Sequence, residues 1–185
     1  MDYGHRRPPG PQRDDKGSVT YRLDVVASDT ADVVGSIGGW LCDRVRAGWD
    51  VHVALARGCD HRPLEILGMQ AVELDPHILS AGADCTARGL AVSADVFASD
   101  TRIQQEVLAA LDRWMTEVTL WQNDWPLSVG HRTTTVQHVL SGAARAFKRH
   151  ALAAAGLPAA VSPTEMLRSD MKASLPVVSE LIPVG

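Results

Sequence analysis

YRLDVVASDTADVVGSIGGWLCDRVRAGWDVHVALAR, running from Tyr21 to Arg57, changes its hydrophobic period twice. Tyr21, Leu23, Val25 and Ala27 alternate with Arg22, Asp24 and Val26, the period of two expected of a half-covered strand. Ser28, Asp29 and Thr30 then supply N-cap oxygens. From Ala31 the period becomes helical, with Val33, Val34, Ile37, Trp40, Leu41 and Val45 on one stripe, and Gly48 closes the helix. Val51, Val53 and Leu55 alternate again. Two strands joined through a helix run parallel by a right-handed crossover, so the stretch reads as a βαβ unit.

The glycines of this helix invite a nucleotide-binding reading. A dinucleotide fingerprint places its glycines in the turn between strand and helix, where bare N–H groups meet a pyrophosphate. Here that turn is Ser28-Asp29-Thr30, and the carboxylates of Asp29 and Asp32 repel phosphate. Gly35, Gly38, Gly39 and Cys42 come later and form a small-residue stripe that admits the close approach of another backbone. Gly35 and Gly39 are therefore candidate contact residues, within the fold or at an interface. No phosphate loop of the G-x-x-x-x-G-K-[ST] type occurs.

Onward from this unit, strand and helix signals keep alternating. Residues 63–68 read as a short helix opened by Pro63 and closed by Gly68, and 70–74 as a third strand. Residues 75–88 are a loop or a brief helix. Leu90 to Phe97 reads as a fourth strand, followed by a helix capped near Asp100 and running to about Arg113; Val118 to Trp121 is a fifth strand. Thr134-Thr135-Val136-Gln137 resembles a capping box opening a long helix to about Ala155. Ser162-Pro163-Thr164-Glu165 reads as the start of another, to about Ala173. The alternation resembles Rossmann-like and RecA-like three-layer folds. The expected fold class is thus α/β: one domain with a mostly parallel sheet of about five strands flanked by helices, plus C-terminal helices.

At 185 residues the chain suits one domain, spanning residues 18–175. The Pro/Gly/Arg-rich residues 1–17 read as a flexible tail and 176–185 as an apolar tail. A net charge of −4, with no basic stripe, argues against nucleic acid. Cys42, Cys59 and Cys85 lack the spacing of a disulfide framework or a zinc site, and a reducing cytoplasm fits them. Without an apolar run of about 18 residues or a signal-peptide core, neither a membrane span nor secretion is expected.

Ligands of open α/β sheets bind beyond the carboxyl ends of the strands. The residues expected on that rim are Asp29 and Thr30, Arg57 and His61, Asp75 and His77, Asp100 and Arg102, and Asn123 and Asp124, with Asp29, Arg57, His61, Asp100, Arg102 and Asp124 as the candidate ligand set. Three sharper constellations are weighed against ordinary structural roles. His61 and His77 with Asp75 or Asp124 lack a metal-ligand spacing, and no metal or other cofactor is expected. Asp24, His52 and Ser93 fall on adjacent strands, but Ser93 sits mid-strand rather than on a nucleophile's turn. Cys59 lies near Arg57, His61 and Arg62, which lower a thiol pKa. Of the five tryptophans, Trp125 in N-D-W-P is the expected exposed anchor of an interface. With phosphate-loop, metal and nucleophile motifs missing, the expected function is that of a non-catalytic cytoplasmic protein. It would act by binding an unidentified protein partner or by self-association as a homo-oligomer. The alternative is a small-molecule binding protein or enzyme, for a nucleotide or phosphometabolite, using the strand-end rim.

Overall fold

The computed structural model describes residues 21–58, 60–74, 87–113, 116–123, 125–171 and 181–184. Eight strands form one sheet: β1 (Tyr21–Ala27), β2 (Asp50–Leu55), β3 (Gln70–Glu73), β4 (Ala87–Ser93), β5 (Thr116–Trp121), β6 (Thr134–Val139), β7 (Thr164–Ser169) and β8 (Leu181–Pro183). Their spatial order is β3-β2-β1-β4-β5-β7-β6-β8. The first five pair in parallel; β7 runs antiparallel to β5, and β6 runs antiparallel to β7 and β8. The expectation of about five mostly parallel strands describes only this parallel half.

Seven helices accompany the described strands: α1 (Thr30–Ser36), α2 (Gly38–Arg46), α3 (Arg62–Ile66), α4 (Ala94–Ser99), α5 (Thr101–Asp112), α6 (Leu127–Gly130) and α7 (Gly142–Ala154). Two hydrophobic clusters lie on opposite faces of the sheet. One gathers Val25, Val53, Trp40, Leu41 and Ala151 beneath α1, α2, α3 and α7; the other gathers Val26, Val92, Phe97, Val107 and Leu111 beneath α4 and α5. Neighbours Val25 and Val26 therefore serve different cores. β1 is buried on both faces rather than half-covered, as parallel strands between helix layers are.

Four expectations are corrected. The first helix is two, broken at Ile37 (φ −131°), so that Gly38 and Gly39 open a second helix. The fourth strand ends at Ser93, whose hydroxyl accepts from the N–H of Val96 and caps α4. The long helix from Thr134 is a strand followed by a helix that Ser141 caps. Its first half alternates, Val136 and His138 buried and their neighbours less so, and pairing with β7 overrides the capping-box signature. The helix expected from Ser162 is β7, with Glu165, Leu167 and Ser169 turned into the protein. On α7 itself, Lys148 is enclosed while Phe147 is 42% exposed. No helix among the described residues is long and apolar enough to cross a membrane. The expected tails, residues 1–17 and most of 176–185, lie outside the described residues.

Candidate functional site

β5 and β7 pair only through Thr119 with Ser169 and Leu120 with Arg168. Beyond that register, at the carboxyl end of β5, the parallel and antiparallel halves of the sheet part. The gap is a cleft of about 670 Å³ whose walls include Ser36, Trp121, Gln122, Trp125, Lys148 and Glu165. That volume suits a small-molecule ligand.

One wall holds a buried ion pair. The Lys148 ammonium donates to Glu165 Oε1 and, at 2.8 Å, to the Gly35 carbonyl. Glu165 also accepts the backbone N–H groups of Gly39 (2.9 Å) and Trp40 (2.7 Å). These belong to the first turn of α2, where N–H groups have no intrahelical partner and the helix dipole favours an anion. Gly39 is required here, because a Cβ would lie 1.5 Å from Leu140 Cδ2 and 2.9 Å from Glu165 Oε1. An ammonium carries three N–H donors. Two of Lys148's have partners, and among the described residues the third has none.

Behind Ser36, Trp121 and Gln122 in the cleft wall lies Asp32. Its Oδ1 accepts from Trp121 Nε1 (3.0 Å), Gln122 Nε2 (2.9 Å) and the Ser36 hydroxyl (3.3 Å). Its Oδ2 is buried and has no hydrogen-bond partner among the described residues. Burial raises the Asp32 pKa above the ordinary carboxylate value, and the charge of Asp29 adds to this; hydrogen bonds from Trp121, Ser36 and the Ser28 backbone oppose it. Gln122 has φ 69°, in the left-handed region. Trp125 packs on Phe97 with ring centroids 5.0 Å apart. Arg168, also in the wall, is held by the Gly130 and Thr133 carbonyls and the Thr133 and Thr135 hydroxyls.

The structure disperses the expected rim. Asp29 caps α1, accepting from Asp32 N at 2.9 Å, and meets the exposed Arg57 at 3.4 Å. Together with Thr30, Asp60 and Pro63 these two line a second cleft of about 340 Å³. His61 is exposed at the start of α3. Asp100 caps α5 and pairs with Arg102, whose hydrogen bond holds the Asp100 carboxyl below its usual range. Asp124, Asp75, His77 and Cys59 lie outside the described residues. Gly35 is exposed on α1 and contributes its carbonyl to Lys148; Gly39 is packed inside the fold; Trp125 is half-buried in the cleft wall. Asp24 and His52 stand opposite each other on β1 and β2, but Arg22 and Arg88 hold Asp24, His52 turns to Asp50, and Ser93 is buried. The Cys42 thiol is pushed up to about 11 by burial. Among the described residues, no group of three or more His, Cys, Asp and Glu is arranged to hold a metal ion.

No known family profile matches the sequence, and no curated protein matches it. Solved structures do match the fold. The crystal structure of a deacetylase–teicoplanin complex from the teicoplanin biosynthesis pathway aligns with a TM-score of 0.54 at 12% identity, covering 80% of this chain and 97% of that one. A deacetylase–bog complex from the same pathway aligns with a TM-score of 0.49 at 14% identity, covering 71% of this chain and 82% of that one. The fold is similar to that of deacetylases. The reading of a non-catalytic protein working through protein–protein interaction or self-association is corrected on this finding: the solved structure that shares the fold at a TM-score of 0.54 is that of a deacetylase. The missing contiguous motifs do not exclude catalysis. A cleft built from α1, β5, α7 and β7 draws on residues more than 100 positions apart and leaves no short motif.

Glu165 escapes the sequence reading because it sits in a strand read as a helix, and Lys148 because its helix was read as starting at Thr134 instead of Gly142. The signal is nevertheless present: Lys148 shares a helical face with Ala144, Ala151 and Leu152 once the helix starts at Gly142.

Proposed function

We propose that this chain is an enzyme acting on a small polar molecule in the cleft between β5 and β7, at the carboxyl ends of a Rossmann-like parallel half-sheet. The observation that carries the reading is the enclosed Lys148 ammonium lining that cleft with an N–H to give. Such a donor stabilises negative charge on a substrate oxygen far better in an enclosed site than in water. The similarity to a deacetylase supports acyl transfer to water as the reaction class. Lys148 would take the carbonyl oxygen as the water adds. Asp32, behind the wall, would receive the proton of that water on its open Oδ2 and return it to the departing amine or alcohol, while the Ser36 hydroxyl, which lines the cleft and donates to Oδ1 at 3.3 Å, steadies the carboxylate. Trp121 and Trp125 offer the apolar part of the surface. A second reading, a binding protein without turnover, is favoured by the ion pair that Glu165 already makes with the Lys148 ammonium.

The test is a panel of N-acyl amines and esters, scored for acid release and for thermal shift, with Lys148→Met and Asp32→Asn as controls. The enzyme reading expects release that both substitutions abolish. Stabilisation without release, lost in Lys148→Met, selects the binding reading. Neither release nor stabilisation across the panel rejects both.

A further inference from the structure

We propose that Gln122 is a positioning residue of the cleft, holding the Asp32 carboxylate so that one oxygen takes all of its side-chain hydrogen bonds and the other stays open to a proton. The proposal rests on the reading of the cleft as the functional site. Gln122 follows directly on β5, and its φ of 69° lies where a Cβ is crowded and glycine or asparagine is favoured. Met171 is the other non-glycine residue in that region among the described residues. Strained backbone at a site persists when the surroundings hold it in place.

The side chain supplies that hold. Gln122 Oε1 accepts the N–H of Asp95 at 3.3 Å, in the first turn of α4, while Nε2 donates to Asp32 Oδ1 at 2.9 Å, in the first turn of α1. The amide orientation is dictated: a backbone N–H only donates, so the oxygen must face Asp95 and the NH2 must face the carboxylate. One side chain at the end of β5 thereby ties together the helices that follow β1 and β4. Those two strands are neighbours in the sheet and flank the point where the strand order reverses, which is where such sheets place their ligands.

For Asp32 the result is one-sided. Trp121, Gln122 and Ser36 all donate to Oδ1, leaving the buried Oδ2 as the acceptor without a partner among the described residues. An unsatisfied buried oxygen costs stability and calls for a reason. The charged groups around Asp32 are Asp29, which caps α1 and pairs with Arg57, and Asp95 beyond the Gln122 amide, with Lys148 and Glu165 across the cleft. None of them donates to Oδ2. A proton arriving at Asp32 therefore has one place to go.

The experiment uses the full chain without ligand and follows the Asp32 side-chain carboxyl by carbon-13 NMR across pH, with the Trp121 indole N–H as a second reporter. Gln122→Gly is the informative variant. Glycine prefers this backbone, so the fold is retained while the amide is lost. The proposal expects the Asp32 midpoint to move to higher pH, because the charged form loses a donor, and the Trp121 signal to titrate with it. Gln122→Glu should move it further in the same direction by adding a like charge. An unchanged midpoint in Gln122→Gly overturns the proposal, for Gln122 would then serve the backbone alone. Should that variant unfold, Gln122→Asn tolerates the same backbone but is a methylene too short to span both partners, and the same two outcomes decide. Ligand binding does not enter the measurement, so failure to find a substrate strikes the proposed function and leaves this result standing on its own.

Discussion

Gly39→Ala should destabilise the protein although alanine is the better helix former. An added Cβ would fall 1.5 Å from Leu140 Cδ2, 2.8 Å from Leu140 Cγ and 2.9 Å from Glu165 Oε1, all inside the contact distance of real atoms. Leu140 is 5% exposed and has little room to retreat. Overpacking of this kind costs about 1–3 kcal/mol, and the gain in helix propensity returns at most about 1 kcal/mol. Displacing Glu165 adds to the loss, since its carboxylate receives both Gly39 N–H and Lys148. The expected net is a loss of about 1–3 kcal/mol, or a fall in Tm of roughly 2–12 °C for a chain of this size. Gly35→Ala is the internal control. Its Cβ meets only Leu157 Cδ1, at 3.8 Å, so it should be neutral or stabilise by about 0.5–1 kcal/mol. Urea unfolding of the two variants beside the parent measures both. A Gly39→Ala protein as stable as Gly35→Ala would refute the packing of α2 against Leu140 and Glu165, and with it one wall of the cleft.

Three further outcomes follow from the placement of charge. The raised Asp32 pKa means that the folded state holds the proton more tightly than the unfolded chain, so the penalty is absent below the unfolded carboxylate pKa and complete above the folded one. Asp32→Asn should therefore gain stability relative to the parent as pH rises through that window, while losing turnover; denaturation curves from pH 4 to 8 show this, and a pH-independent difference contradicts it. Arg44, packed on the rings of Trp40 and Trp49 and 3.3 Å from Glu117, offsets part of the burial that raises the Glu117 pKa. Arg44→Met should cost about 3–5 kcal/mol by leaving that carboxylate unpaired, and adding Glu117→Gln should recover much of it in a double-mutant cycle. Replacing Arg57 and Arg102 together by Ala should leave stability within about 0.5 kcal/mol, since both are exposed, and should leave the cleft's ligand binding intact; loss of binding would return the site to the rim around Asp29.

The parallel half of the sheet was legible because its strands are short β-branched runs near clear caps at Asp29 and Asp100, although the cap at Ser93 was read as mid-strand. The antiparallel half was not. Thr134 to Val139 and Thr164 to Ser169 carry helix-start chemistry, and only their mutual pairing, at sequence separations of 25 or more, makes them strands. That error propagated to the site. With the helix taken to begin at Thr134, nothing marks Lys148 as enclosed, although it is 5% exposed and its neighbour Phe147 is 42% exposed. Glu165 lost its meaning in the same way, because its partners Gly39, Trp40 and Lys148 meet only in three dimensions. Asp32 and Gly39 were visible as residues but not as a site: one was read as repelling phosphate, the other as a small-residue contact.

The cleft between β5 and β7 is where a small molecule would be held. The most direct test of that placement is the indole N–H region of the proton–nitrogen NMR spectrum, where each tryptophan gives one signal assigned by Trp→Phe substitution, recorded during titration with the acyl compounds that raise Tm. Trp121 and Trp125 line the cleft, whereas Trp40 and Trp49 are buried around Arg44. Binding there requires the Trp121 and Trp125 signals to shift saturably, with Trp40 and Trp49 unmoved, and Lys148→Met to abolish the shift. Saturable binding that leaves Trp121 and Trp125 unperturbed would contradict it.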